Sequence, residues 1–265
     1  MRVAVVAVWL NVVLLVGSGV ADALDTERIV GENEGAVVVI YGNSNASGSP
    51  VQSSGCCIDA SGLLVSTAHQ VRGMDGLHAR LANGSEYPVE VLATDITQDF
   101  ALLKVDAPSI GVARLGDASL LQSGSPLLSI ASPKGLDFTT VTGIVSNAHR
   151  LNNGVPVVQT DLPASPGSSG GPVFDKDGRL VGIIIGKAQD VDRVTLFNPI
   201  NNAYPILKRF GVAVPGDKRD WALSDEIIPA DGINQRELGA VERYNEGVRA
   251  SSVQEKIEAY TQTVK

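Results

Sequence analysis

Many short apolar runs with turn signals between them dominate the chain from residue 36 to residue 197. The runs span residues 36–41, 54–58, 63–67, 77–81, 86–93, 100–105, 126–131, 139–146, 155–160, 179–185 and 194–197. Asn83-Gly84 and Asp177-Gly178 are strong signals of tight hairpin turns. No long helical periodicity precedes about residue 200. Many short strands joined by turns predict an all-β fold, either an antiparallel sandwich or a barrel.

The length of the chain predicts one large domain and a small appendage. A single all-β domain commonly runs to about 200–250 residues, and this chain has 265 residues. We therefore predict a β domain over residues 24–212, closed by a helix at Ala203–Phe210. Residues 213–232 contain two Pro-containing turn dipeptides, which predicts a linker.

Residues 233–265 are charged and predict two helices, Gln235–Arg249 and Val253–Val264. The segment faintly resembles one helical-pair repeat of the tetratricopeptide type. A single repeat cannot bury its own apolar face. A charged helical hairpin without repeat neighbours, packed on the β domain or solvated, is at least as good an interpretation. If the chain continues in further repeats, this tail would suit a protein partner.

The first 23 residues have the pattern of a secretory signal peptide. Arg2 supplies a positive start, residues 3–16 are apolar apart from Asn11, and Ala21-Asp22-Ala23 fits a small-x-small cleavage site. The alternative, a membrane anchor, needs a longer apolar stretch. We therefore predict cleavage after Ala23 and a periplasmic or secreted location.

Charge and cysteine content exclude several classes of function. A formal net charge of −8 disfavours a nucleic-acid-binding surface. Cys56 and Cys57 are neighbours in the sequence, so their Cα atoms lie about 3.8 Å apart, below the usual range for a disulfide. At least one is expected to be a small buried side chain on a strand. The sequence contains no metal-ligand constellation and no nucleotide-binding loop, so no cofactor and no metal are predicted.

The segment 166–172, Pro-Gly-Ser-Ser-Gly-Gly-Pro, suits a nucleophilic serine. Such a serine needs a tight turn that exposes its hydroxyl, with backbone N–H groups aimed at the developing oxyanion. Glycines on both sides of Ser169 allow that turn. Taken alone, the same string also fits the nucleophile elbow of α/β-hydrolases or a plain turn.

The order of residues along the chain discriminates between these alternatives. An α/β-hydrolase has its histidine after its serine, whereas every histidine here precedes Ser169. His69 follows an apolar run that ends in small residues, and Asp99 directly precedes the run 100–105. An acid placed in this way can accept the imidazole N–H and fix its tautomer. The order His, Asp, Ser is that of chymotrypsin; Asp95 is the nearest rival acid, and His78 and His149 have no comparable context.

The same segments resemble the HtrA (Deg) family of trypsin-like serine proteases. The matching stretches are Ser54-Gly55, Ser66-Thr67-Ala68-His69, residues 99–105, Leu115-Gly116-Asp117, residues 140–146, Gln159-Thr160-Asp161 and residues 167–172. They occur in order over most of the predicted β domain. The resemblance implies two six-stranded antiparallel β-barrels with the active site between them. It also implies ATP-independent cleavage of unfolded or damaged proteins, and a homotrimer.

Residue by residue, the resemblance implies a catalytic triad of His69, Asp99 and Ser169. It places the oxyanion hole at Gly167, Ser168 and Ser169, with the N–H groups of Gly167 and Ser169 as donors. Ser168 departs from the family, which commonly has Asn there. No PDZ domain is apparent after residue 215, although many members carry one.

By the same alignment, residues 162–166 and 182–186 line the pocket for the substrate side chain at P1. Ile183, Ile184 and Ile185 include no acid. This predicts a preference for small or medium apolar P1 residues over Lys or Arg.

The second function considered is a catalytically silent trypsin-fold binding or scaffold protein. An intact His, Asp and Ser set argues against that function, and the residue order argues against an esterase.

Overall fold

The computed structural model describes residues 24–152, 154–187 and 193–215, and the backbone of residues 227–229. The predicted signal peptide at residues 1–23 and the predicted helical tail at residues 233–265 lie outside the described residues. Within the described part of the chain, no helix has the length and apolarity needed to cross a bilayer.

The first half of the described chain forms a closed barrel of six antiparallel strands. The strands are β1 Val37–Ser44, β2 Pro50–Asp59, β3 Leu63–Ser66, β4 Met74–Leu81, β5 Glu86–Asp95 and β6 Phe100–Val105. They are hydrogen-bonded in the order β5-β4-β1-β2-β3-β6, and β6 also pairs with β5. That last pairing closes the sheet and removes its edges.

The second half forms another closed barrel of six strands. These are β7 Pro126–Ala131, β8 Thr139–Asn152, β9 Val155–Thr160, β10 Pro172–Phe174, β11 Leu180–Lys187 and β12 Thr195–Pro199. Their order is β10-β11-β12-β9-β8-β7, closed by the pairing of β7 with β10. The fold class predicted from the sequence, two six-stranded antiparallel barrels, is confirmed.

One apolar cluster contains buried side chains from both barrels. Leu128, Ile130, Phe174 and Ile183 of the second barrel are fully buried and belong to the cluster that fills the first barrel. The second barrel also has an apolar cluster of its own, which includes Leu127. The shared cluster fixes the two barrels against each other, so loops from both can form a single site.

Among the residues that the structure describes, three α-helices accompany the barrels. They are α1 Thr26–Asn33, α2 Ala68–Val71 and α3 Tyr204–Arg209. α3 follows a 3₁₀ turn at Ile200–Ala203 and fulfils the prediction of a helix at 203–210. α1 was not expected, because its eight residues are too few to show a clear period. The Asp25 side chain caps it by accepting the Arg28 N–H at 3.1 Å, and Ile29 anchors it in the core.

Pairing extends two strands into the segment 42–50, which the sequence predicts to be a loop. Gly42 pairs with Val51 and Asn43 with Pro50, so the β1–β2 ladder continues past the apolar run. Backbone hydrogen bonds do not require apolar side chains, and a polar strand end leaves no sequence signal. In the predicted linker, Ile227–Pro229 likewise forms a strand, β13, which pairs antiparallel with residues 93–95 of β5.

Cys56 and Cys57 lie on β2, both are free, and both are buried. This confirms the prediction that at least one is a small buried side chain. Burial, acting against a weaker opposing hydrogen bond from the backbone of Asp59, raises the pKa of Cys57 to about 11. The thiol is therefore neutral and unreactive near neutral pH.

Candidate active site

Strand pairing brings His69 and Asp99 to the same end of the first barrel. β3 and β6 are antiparallel neighbours, and Ser66 lies opposite Ala101. His69 comes three residues after Ser66, in α2, and Asp99 comes two residues before Ala101. The chain therefore leaves β3 and enters β6 at one edge. The Ala68 N–H donates to the Asp99 carbonyl at 3.4 Å and ties the two loops together.

Both oxygens of the Asp99 carboxylate contact His69. His69 Nδ1 lies 2.7 Å from Asp99 Oδ2, and the His69 backbone N–H donates to Asp99 Oδ1 at 2.9 Å. A carboxylate only accepts, so Nδ1 carries the proton and Nε2 is the basic nitrogen. The two bonds also fix the ring orientation relative to its own backbone.

Burial and Asp99 act in opposite directions on the pKa of His69. Burial lowers this pKa by disfavouring the imidazolium, but the negative charge of Asp99 and its hydrogen bond favour it, and the net pKa is raised above its ordinary value of 6.5. The His69 side chain is 15% exposed and the Asp99 side chain 26% exposed. The pair is thus partly screened from water but open on one side.

Asp99 has a left-handed backbone, with φ of 51°. This conformation costs free energy for a residue with a Cβ, although Asp tolerates it better than most. Asn198 of β12 donates from Nδ2 to the carbonyl of Gln98, directly before Asp99. The rival acid Asp95 accepts the Gln98 N–H at 2.9 Å and caps the turn. Asp99 is therefore the acid held against His69, and the second barrel helps to hold it.

Ser169 lies on the turn between residue 162 and β10, partly exposed. Its Oγ donates to the Ile185 carbonyl at 3.3 Å. Its carbonyl accepts from the Ser54 N–H and the Ser53 hydroxyl, each at 2.8 Å. The serine backbone is thereby fixed to β2 of the first barrel, the strand next to β3.

Hydrogen bonds to two carbonyls orient the two predicted oxyanion donors. The Pro166 carbonyl accepts the Lys134 N–H at 2.8 Å, and the Ser168 carbonyl accepts the Gly171 N–H at 2.9 Å. A trans peptide is planar with its C=O and N–H antiparallel, so each bond directs the following N–H, of Gly167 or of Ser169, the opposite way. Among the described residues, neither of these two N–H groups has a hydrogen-bond partner.

Ser168 has a different place from its two neighbours. Its N–H donates to the Ser165 carbonyl at 2.9 Å, and its Oγ accepts the Ser165 N–H at 3.3 Å. The assignment of residue 168 to the oxyanion hole stays a prediction. The residue braces the turn and is nearly fully buried, and its N–H is already used.

Glycine is required at two positions of this loop. Gly167 has φ of 97° and Gly170 has φ of 80°. A Cβ at Gly167 would overlap the Ser132 carbonyl oxygen, and one at Gly170 would overlap Ser54 and Ser66. Steric overlap and positive φ thus explain why glycine occurs at both positions around Ser169.

The residues predicted to line the P1 pocket differ in exposure. Ile183 and Ile184 are fully buried in the barrel cores, whereas Ile185 is partly exposed beside Ser169. Asp161, which belongs to a stretch that matches the HtrA family and carries no predicted role, directly precedes residues 162–166 of the predicted pocket. Its Oδ2 is 2.9 Å from the Arg193 guanidinium and its Oδ1 accepts the Ile144 N–H at 2.7 Å. The positive charge of Arg193 therefore offsets the negative charge of the Asp161 carboxylate.

The other two histidines lie outside this cluster. His78 is exposed on β4 and stacks on Tyr41, with ring centroids 5.6 Å apart. His149 is exposed on β8. Within the described residues no group of His, Cys, Asp and Glu is arranged to hold a metal ion.

Comparison with protein-family models adds a match to the trypsin-like peptidase domain over residues 53–183. That range contains His69, Asp99 and Ser169. A variant of the HtrA-type protease AlgW, solved with a tripeptide, superposes with a TM-score of 0.65 at 25% identity, over 69% of this chain and 62% of that one. The two barrels are therefore similar in fold to HtrA-type proteases.

Curated proteins that the chain resembles are named probable periplasmic serine endoproteases, DegP-like. One from Marinomonas sp. (strain MWYL1) is 41% identical over 133 residues, covering 49% of this chain and 28% of the relative. One from Hahella chejuensis is 31% identical over 240 residues, covering 77% of this chain and 50% of the relative. The chain thus spans half or less of the length of these relatives.

Proposed function

We propose that this protein is a serine endopeptidase with His69, Asp99 and Ser169 as its catalytic triad. The observation that carries the proposal is the carboxylate of Asp99 holding the Nδ1–H of His69. It is supported by a glycine-flanked serine turn in which the N–H groups of Gly167 and Ser169 are left for an oxyanion.

In the proposed reaction, Ser169 Oγ attacks the scissile carbonyl carbon while His69 Nε2 takes the hydroxyl proton. The carbonyl π electrons move to oxygen, and the N–H groups of Gly167 and Ser169 bind the oxyanion. Collapse expels the amine, which receives the proton from His69. Water then attacks the acyl-enzyme with His69 again as base, releasing the acid and restoring Ser169.

We further propose unfolded or damaged proteins as substrates and the periplasm as the location. The relatives that the chain resembles are named periplasmic serine endoproteases. Acyl transfer by a triad consumes only substrate and water, so no ATP is needed. A homotrimer, a signal peptide at residues 1–23 and a protein partner for the tail at residues 233–265 remain proposals of the family resemblance and of the sequence.

Degradation of casein by the full chain tests the activity. The mature protein is compared with Ser169→Ala, without ATP, and fragments are followed by gel electrophoresis. Cleavage by the wild type alone is the expected result. Equal cleavage by both proteins would refute Ser169 as the nucleophile. No cleavage by either would favour the scaffold function that the sequence leaves as the alternative.

A further inference from the structure

The hydroxyl of Ser54 lies at the junction between the two barrels and makes two hydrogen bonds. It donates to the Gly167 carbonyl at 2.9 Å and accepts the Ser132 N–H at 3.1 Å. Ser54 is fully buried on β2. A buried group whose donor and acceptor capacity are both used strongly favours one arrangement of its partners.

The first of these partners belongs to the oxyanion loop itself. The Gly167 carbonyl shares a peptide plane with the Ser168 N–H, which donates to Ser165 on its other side at 2.9 Å. This plane lies between the two planes that carry the Gly167 and Ser169 N–H groups. Rotation of the middle plane would change ψ of Gly167 and φ of Ser168, and the neighbouring donors would then no longer converge.

The second partner supports the loop indirectly. Ser132 begins the short turn in which Lys134 adopts φ of 50°, and the Lys134 N–H holds the Pro166 carbonyl at 2.8 Å. Gln52 Nε2 also donates to the Ser132 carbonyl at 2.8 Å. The position of Lys134, and through it the direction of the Gly167 N–H, therefore depends on Ser132 being held by β2.

We propose that Ser54 is a positioning residue that keeps the oxyanion loop in its productive conformation. The proposal rests on the proposed endopeptidase function. Ser54 touches neither substrate nor reacting atoms in this scheme. It acts through the peptide plane of Gly167 and through the Ser132–Lys134 turn, so that the first barrel sets the shape of a loop in the second.

The test compares Ser54→Ala with Ser129→Ala in the full chain. Ser129 is also fully buried and also donates to a backbone carbonyl, that of Pro172 at 2.7 Å, but this bond lies between barrel strands. Removing one oxyanion donor costs about 10²–10³ in kcat, so disordering the donors should lower kcat for a peptide substrate by about 10- to 100-fold. KM should change little, and Ser129→Ala should retain most of its kcat.

Binding of a peptide boronic acid gives a readout that a merely structural role would not change. The boronate forms a tetrahedral adduct that uses the oxyanion hole, whereas a product peptide does not. Ser54→Ala should weaken boronate affinity by about the same factor as kcat/KM and leave product affinity unchanged. Parallel losses of boronate and product binding, or a kcat equal to that of Ser129→Ala, would overturn the proposal.

Ser54→Cys covers the case in which Ser54→Ala does not fold. A thiol fills similar space but is a weak donor and acceptor, so kcat should fall between wild type and Ser54→Ala, with circular dichroism unchanged. Wild-type kcat in a folded Ser54→Cys would also contradict the proposal. An inactive wild type would instead refute the endopeptidase function, and the positioning role with it.

Discussion

The two barrels prepare their shares of the site in different ways. In the first barrel, His69 and Asp99 contact each other directly, and the β3–β6 register sets their approach. In the second barrel, the loop around Ser169 is held by contacts that cross the barrel junction, from Ser53 and Ser54 of β2. The acid–base pair is thus built mainly from local pairing, whereas the oxyanion loop depends on the relative position of the barrels.

This difference predicts two kinds of failure. A change within the His69–Asp99 pair should remove basicity but leave the oxyanion loop intact. A change at the barrel junction should leave the pair intact and reduce the stabilisation of the oxyanion. On the side of the His69–Asp99 pair, the hydrogen bond from Asn198 to the Gln98 carbonyl also crosses the barrel junction. Its removal measures how far that pair depends on the junction.

The largest effect is expected from Ser169→Ala, which removes the nucleophile. Loss of a triad serine lowers kcat by about 10⁶-fold. The fold should be unchanged, because the hydrogen bond lost with Ser169 Oγ is a long one, at 3.3 Å to the Ile185 carbonyl. Single-turnover assays and thermal melting check both parts. A residual rate above a thousandth of wild type would be inconsistent with the assignment.

Asp99→Asn should cost about 10⁴ in kcat, since an amide no longer holds the Nδ1–H tautomer of His69. The geometry of the oxyanion loop should be unchanged, because Asp99 makes its contacts with His69 and not with that loop. Boronate binding serves as the control for that loop. If Asp99→Asn also weakened boronate binding, the His69–Asp99 pair and the oxyanion loop would not be separable.

Asn198→Ala should lower kcat, but by less than the roughly 100-fold cost of a 1 Å misplacement. Asp99 keeps its own contacts with His69 after the bond to the Gln98 carbonyl is lost. Asn33→Ala is the matched control, since Asn33 is also buried and donates to the carbonyls of Ile29 and Gly178. If Asn198→Ala proves more costly than Ser54→Ala, the acid side depends on the junction more than the loop does.

The pH profile of the activity should fall at acidic pH, with a midpoint above the ordinary pKa of histidine. His69 must be neutral to act as a base, and its pKa is raised because Asp99 outweighs the effect of burial. kcat/KM measured against pH should therefore fall on acidification with a midpoint above about 6.5. A midpoint below that value would contradict the stabilising role of the Asp99 charge.

Protonation of His69 should also affect stability. Because the pKa is higher in the folded state than in the unfolded state, the contribution is complete below the unfolded pKa and is lost as pH rises through the folded one. Urea denaturation of wild type and Asp99→Asn across this range measures it. The wild type should lose more of its free energy of unfolding with rising pH than the variant does.

Among the contacts that cross the junction, the smallest effect is expected at the ion pair between Arg80 of β4 and Asp137. Arg80 NH2 lies 2.5 Å from Asp137 Oδ2, with the side chains 33% and 25% exposed. Solvent screening limits such a pair to about 1 kcal/mol. Arg80→Gln should lower the free energy of unfolding by no more than this. Arg114→Gln, which removes a more exposed pair with Glu32, should change it even less.

The sequence predicted the barrels because their strands carry apolar runs with turn residues between them. Phe100–Val105, Pro126–Ala131 and Val155–Thr160 form strands over the same residues that the pattern indicates. β10 was not predicted, because three residues are too few for a period and the segment begins with Pro172. Helix α1 was missed for a similar reason.

The site was predictable only in part. The glycines around Ser169 adopt positive φ, which is a local backbone requirement, so they are visible in the sequence as a motif. The Lys134 N–H and the Asn198 amide act through backbone carbonyls that are remote in sequence. Backbone donors leave no residue preference, and a single buried Asn has no period. These contacts follow from the tertiary fold and not from any motif.

Localising a covalent fluorophosphonate adduct by mass spectrometry tests the central claim most directly. The full chain is labelled at neutral pH, digested and mapped, with His69→Ala as the comparison. The account predicts one adduct, on Ser169 Oγ, and its near-complete loss in His69→Ala. An adduct on another serine, or casein cleavage without any labelling of Ser169, would contradict the proposed triad.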